Sequence, residues 1–220
     1  MSIKFVKFSL FILVFILSAS FSDKPKILII GDSISGGYTP YVQDYFKDKA
    51  KVVHNPGNAG DTGRGLKNIR EYIGNEDWDI IQFNWGLWDL CYRHPDSELY
   101  GNRDKIKGTL TFTVDEYAAN LDSLVTIMKD MSDAELIFVT TTYVPENEAG
   151  RYAKDAKIYN KAAKKVMKKH SVTINDIYKE SFFIHKAFGV GNDDVHYTEK
   201  GNEQLSKYII EFLEKEIKKL

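Results

Sequence analysis

The chain has 220 residues, 43% hydrophobic, 28% charged and 13% aromatic, which excludes collagen-like, disordered and disulfide-dense classes and allows one domain or two small ones. Thirty Lys and Arg against thirty-one Asp and Glu leave a formal charge of -1, so no basic excess is present to neutralise phosphates and no nucleic-acid partner is expected. The single cysteine, Cys91, excludes an intramolecular disulfide, no Cys/His spacing resembles a zinc site, and neither metal nor cofactor is expected.

In chain order, the first element is a targeting segment. Lys4 and Lys7 give a positive start, Phe8 to Leu17 is a short apolar run, and Ser18, Ala19 and Ser20 are small. Met1 to about Ser22 is read as a signal peptide, and 23–220 as the mature domain. The run is short for a membrane span, with an uncleaved anchor as the alternative. A secreted or periplasmic location, with no stable membrane insertion after cleavage, is the expectation.

Lys26 to Ile30 is a continuous apolar run ending at a glycine, the pattern of a buried parallel strand. Further strands are expected at Val52 and Val53, at Asp79 to Phe83, at Glu135 to Val139 and at Val172 to Ile174. Tyr117, Leu121, Leu124, Val125 and Met128 share one helical face behind a Thr113–Glu116 capping box. Arg151 to Lys169 reads as a lysine-rich helix with a solvated face, and Leu205, Ile209, Phe212 and Leu213 mark a C-terminal helix. Strands alternating with helices predict a three-layer α/β/α domain on a mostly parallel sheet of about five strands. The long connection from Leu90 to Phe112 has the length of a functional or mobile loop. Ligands of such sheets bind beyond the carboxyl ends of the strands.

Two segments there carry chemistry. The first strand runs into Gly31, Asp32, Ser33, Ile34, Ser35, Gly36 and Gly37. Such a turn exposes Ser33 at the sheet edge, with helix N-terminal N–H groups near developing negative charge. A helix cap or a phosphate loop are the competing readings, and the Gly-Lys-Ser/Thr ending of the latter is missing. At the other end, Asp193, Asp194, Val195 and His196 precede the last helix. A carboxylate three residues before the histidine can bend back to Nδ1–H and leave Nε2 free to take a serine proton, which points to Asp193 as the acid. The other histidines, His54, His94, His170 and His185, read as structural.

These blocks resemble the SGNH, or GDSL-like, family of serine esterases and lipases, whose fold is flavodoxin-like. Gly31-Asp32-Ser33-Ile34 matches the first block, with Ser33 in the nucleophile position. Asn55 to Thr62 resembles the second, placing Gly60 as a backbone donor to the oxyanion hole. Asp193-x-x-His196 matches the last block. The third block, Gly-x-Asn-Asp, departs: the stretch is Asn84-Trp85-Gly86-Leu87-Trp88-Asp89, and Trp88 stands in the position of the donor asparagine. Asn84 is preferred over the Trp88 indole as third donor, beside the N–H groups of Ser33 and Gly60. Asp32 and Asp89 read as turn and capping residues.

The resemblance implies ester hydrolysis through an acyl-serine, on a small-molecule or polysaccharide ester. Trp85, Trp88 and Tyr143 are candidate stacking surfaces for sugar rings, and Tyr92 and Tyr197 lie in similar places. No long apolar lid is visible. Deacetylation of a carbohydrate is the leading expectation. A lysophospholipase- or thioesterase-like lipase, or a carbohydrate-binding protein without turnover, are the alternatives.

Overall fold

The computed structural model describes residues 24–220, so the signal-peptide expectation lies outside the described residues. Seven strands are described: β1 (Lys26–Ile30), β2 (Lys51–His54), β3 (Ile80–Phe83), β4 (Tyr92–Arg93), β5 (Thr109–Leu110), β6 (Glu135–Val139) and β7 (Thr173–Asn175). Five form a wholly parallel sheet in the order β2-β1-β3-β6-β7, and β4 pairs with β5 as a small antiparallel hairpin. Numbered within the large sheet alone, that order is 2-1-3-4-5, the flavodoxin-like winding, whose topological switch point lies between β1 and β3.

The central strands are apolar on both faces because helices cover both. Ile27, Leu28, Ile29 and Ile30 of β1 and Ile80, Ile81 and Phe83 of β3 are all buried. Each such side chain contributes about 1.5–3 kcal/mol relative to exposure. One layer packs α1 (Ser33–Phe46) and α5 (Tyr178–Phe188) on α6 (Glu199–Ile217); the other packs α2 (Thr62–Ile73) and α4 (Asp155–Lys169) on α3 (Val114–Met131). The face Tyr117, Leu121, Leu124, Val125 and Met128 of α3 is buried, and the Thr113–Glu116 capping box closes its N-terminus. Of the C-terminal face, Leu205, Ile209 and Leu213 are buried and Phe212 is partly so.

The long connection after β3 is tied down rather than free. It contains the β4–β5 hairpin and a short 3-10 turn at Tyr100–Asn102. Tyr92 N–H donates to the Gly150 carbonyl (2.7 Å), and Phe112 N–H donates to that of Asp89 (3.0 Å). Its residues thereby become a wall at the carboxyl end of the sheet.

Candidate active site

Ser33 is the first residue of α1, immediately beyond β1. Asp32 caps the helix, its Oδ1 accepting from Ile34 N–H at 2.9 Å. Burial raises the Asp32 pKa, against the Ile34 N–H bond and the positive Arg151. Gly31 N–H donates to Asn55 Oδ1 (2.8 Å) and its carbonyl accepts from Ala59 N–H (3.0 Å), so the loop after β2 is pinned beside the serine. A side chain at Gly31 would meet Ser35 Oγ at 2.6 Å, which is why the turn needs glycine.

His196 arrives from the turn before α6. Val195 and Tyr197 on either side are buried and anchor that turn in the core. His185 Nε2–H supports it further by donating to the Asp194 carbonyl at 2.7 Å. The result is a relay: Ser33 Oγ lies 2.8 Å from His196 Nε2, and His196 Nδ1 lies 2.5 Å from Asp194 Oδ1. The carboxylate fixes the proton on Nδ1 and leaves the Nε2 lone pair toward the serine hydroxyl. Partial burial works to raise the Asp194 pKa, yet the His196 backbone and ring N–H bonds, with positive Arg103 nearby, hold it below the usual carboxylate range. It therefore stays ionised at neutral pH.

The carboxylate on His196 is Asp194, where Asp193 was expected. Asp193 is exposed and makes no hydrogen bond to His196; Asp194 does. The reason is local. Asp194 Oδ1 also accepts the backbone N–H of His196 at 2.9 Å, the turn in which an aspartate binds the backbone two residues on. That turn carries the carboxylate onto the ring, and Asp193 is left facing solvent.

A second serine–histidine pair lies beneath. Ser35 Oγ is 2.7 Å from His54 Nε2, while His54 Nδ1–H donates to the Asn55 carbonyl at 2.8 Å. Burial lowers the His54 pKa, and Ser35 Oγ also donates to the Asp32 carbonyl at 2.7 Å. Ser35 is 2% exposed and braces the turn out of reach of solvent. Burial separates the two pairs by role.

Two of the residues expected to donate to an oxyanion, Asn84 and Gly60, have protein partners in the structure. Asn84 donates its amide to the Val139 carbonyl at 2.7 Å, bridging β3 to β6, and does not line the cleft that holds Ser33. Gly60, in the left-handed region at φ +62°, donates its N–H to Asn58 Oδ1 at 2.8 Å. Asn58 itself lines the cleft. Its Nδ2 points to no described acceptor, and Ser33 N–H is likewise unpartnered among the described residues. Asn58 had no signal in the sequence beyond its place in the second block.

Aromatic placements sort cleanly. Trp88 lines the cleft, with the Arg93 guanidinium 4.8 Å from its ring centre. Trp85 is 1% exposed, packed against Gly65, and contributes to the core instead. Tyr143 is buried against Phe182 and His185 and borders a separate concavity beside α5. Tyr197 is buried on His185, and Tyr92 packs edge-on to Tyr152. Tyr100, 82% exposed, joins Trp88 at the cleft rim.

Asp89 is wholly buried beneath the site. Its Oδ1 accepts from Thr62 N–H (2.9 Å) and Thr62 Oγ (2.5 Å), tying α2 to the turn after β3, while Oδ2 has no partner. Burial pushes its pKa up to about 7 against those two bonds. Gly86 in the same turn sits at φ +148°, and a Cβ there would meet Thr141 Oγ at 2.1 Å.

A family model described as GDSL-like Lipase/Acylhydrolase matches residues 27–209. The chain belongs to this family. It is a carboxylic ester hydrolase of the SGNH, or GDSL, kind. No curated protein sequence gives a significant match. Solved structures share the fold. The acetyl xylan esterase AlAXEase is 15% identical, with 85% of this chain and 98% of that one aligned at a TM-score of 0.68. An acetylxylan esterase from Geobacillus stearothermophilus is 19% identical over 85% and 93% of the chains, TM-score 0.66. A lipase/acylhydrolase from Enterococcus faecalis is 20% identical over 86% and 95%, TM-score 0.68.

Proposed function

We propose that this hydrolase is an exported serine esterase that removes a small acyl group, acetyl above all, from a carbohydrate. The observation that carries the reading is the unbroken Ser33–His196–Asp194 relay opening into a cleft. In the proposed mechanism Ser33 Oγ attacks the ester carbonyl carbon and its proton passes to His196 Nε2. Asp194 stabilises the imidazolium so formed. Negative charge gathers on the carbonyl oxygen, where Ser33 N–H and the Asn58 amide donate. Collapse breaks the C–O bond, and the departing alcohol takes the proton from His196. Water then attacks the acyl-serine by the same route in reverse and releases the acid.

The cleft measures about 230 Å³, below the roughly 300–1,000 Å³ that encloses a drug-sized ligand. That favours a short acyl chain. Trp88 and Tyr100 offer aromatic faces for a sugar ring. Two proteins of similar fold are acetyl xylan esterases, which supports the reading. Export rests on the charged start and apolar run of the N-terminal segment. No described helix is long and apolar enough to cross a membrane.

The test is a chain-length series of p-nitrophenyl esters together with acetylated oligosaccharides. Turnover of acetyl substrates that falls steeply with chain length, and vanishes in Ser33→Ala, supports the reading. A preference for long chains points to a lipase, and complete inertness points to carbohydrate binding without turnover; either overturns it.

A further inference from the structure

The wall of the cleft facing Ser33 and His196 carries three arginines from three separate segments: Arg93 in β4, Arg103 after the 3-10 turn and Arg151 just before α4. Each is held by its Nε. Arg93 donates to Thr111 Oγ (3.2 Å), Arg103 to the Tyr100 carbonyl (3.1 Å) and Arg151 to the Leu87 carbonyl (2.6 Å). Arg93 also donates through Nη1 to the Gly101 carbonyl. One carboxylate stands behind them. Glu148, wholly buried, accepts from Arg103 Nη1 at 2.7 Å and from Arg151 Nη1 at 2.8 Å, with Gly150 N–H on its other oxygen. The Nη2 of all three arginines has no partner among the described residues.

Arg103 and Arg151 share Glu148, and Arg93 has no carboxylate partner among the described residues. Asp194 and Asp32 also line the cleft and offset part of the arginine charge, Asp194 near Arg103 and Asp32 near Arg151. Arg151, only 6% exposed, is held rigidly in the cleft wall by its bonds to Leu87 and Glu148. Guanidinium groups fixed through Nε and Nη1 each keep Nη2 as a preorganised donor for a carboxylate oxygen. Trp88 has the Arg93 guanidinium 4.8 Å from its ring centre and stands where an adjoining sugar would meet it.

We propose that the cleft selects esters of acidic sugars, with the uronate carboxylate of the alcohol part bound by Arg93, Arg103 and Arg151 while its O-acyl group meets Ser33. This rests on the esterase reading and narrows its substrate class. The probe pair is an O-acetylated methyl galacturonoside and its uronamide, which has the same shape without the charge.

At low salt the purified full-length protein is expected to show kcat/KM about tenfold or more higher on the carboxylate than on the amide, with the ratio shrinking as salt is raised. Arg93→Gln and Arg103→Gln, each shown folded by thermal unfolding, should pull the ratio toward one. A ratio near one in the wild type, or a ratio untouched by both substitutions, overturns the proposal while leaving an active esterase intact. Calorimetric binding of galacturonate to Ser33→Ala separates the two claims. Binding that weakens in the arginine variants supports the anion subsite even if no ester is turned over, and absence of binding by the folded Ser33→Ala protein counts against it.

Discussion

Replacing Asp89 by Asn should change how stability depends on pH. The carboxyl is buried with Oδ2 unpartnered, and its pKa rises from an ordinary 3.8 to about 7 on folding. A raised acid binds its proton more tightly in the folded state, so its favourable contribution is present at low pH. It is lost as pH climbs from about 4 through about 7. Across the whole range the loss is on the order of 4 kcal/mol, and between about pH 5 and pH 8 it is about 2–3 kcal/mol. Urea unfolding of wild type and Asp89→Asn at several pH values isolates this group, because other titrations cancel in the difference. The variant should gain on wild type steadily as pH rises, keeping the Oδ1 bonds to Thr62 that hold α2. A difference constant within about 0.5 kcal/mol from pH 5 to pH 8 would refute the assignment of a raised carboxyl.

Asp194→Asn should lower kcat on a small acetyl ester by about a thousandfold or more through loss of the carboxylate charge that fixes the His196 tautomer, whereas Asp193→Asn should stay within about twofold; equal losses would contradict the geometry. Asn58→Ala should reduce kcat about tenfold or more with little change in KM, and a rise in kcat would mean that Asn58 blocks the Gly60 N–H instead of donating. Gly86→Ala should destabilise by roughly 3 kcal/mol or more, since the φ and the Thr141 hydroxyl both oppose a side chain; a melting temperature unchanged by the substitution would show that the turn adapts.

Much of the fold was legible because its signals are local. Lys26 to Ile30 and Glu135 to Val139 read as buried strands from unbroken apolar runs, and both are strands of the parallel sheet. The Thr113–Glu116 capping box marks its helix by side-chain chemistry alone. Alternation of strands and helices pointed to a parallel sheet between two helix layers, and its winding explains why the ends of β1 and β3 meet. Where the structure places side chains differently, the difference depends on direction rather than position. Asp193 and Asp194 are both close enough to His196 in sequence, and only the turn decides which rotates onto the ring. The habit of aspartate to bind the backbone two residues on is a signal that favours Asp194. Asn84 ends the right strand, but its amide crosses to Val139 on β6. Trp85 and Trp88 differ by three residues, yet one packs against Gly65 and the other lines the cleft. Arg93, Arg103 and Arg151 form no sequence pattern. Their convergence is made by the hairpin and by Glu148, which only the tertiary structure brings together.

The central claim is that Ser33 is the acylated nucleophile, and a fluorophosphonate tests it most directly. The reagent should give a single adduct on the full-length protein, and fragmentation mass spectrometry should locate it on Ser33 rather than on Ser35, two residues away and buried against His54. The adduct should be lost in Ser33→Ala. An adduct on Ser35, or none on a folded protein that still hydrolyses esters, would contradict the account.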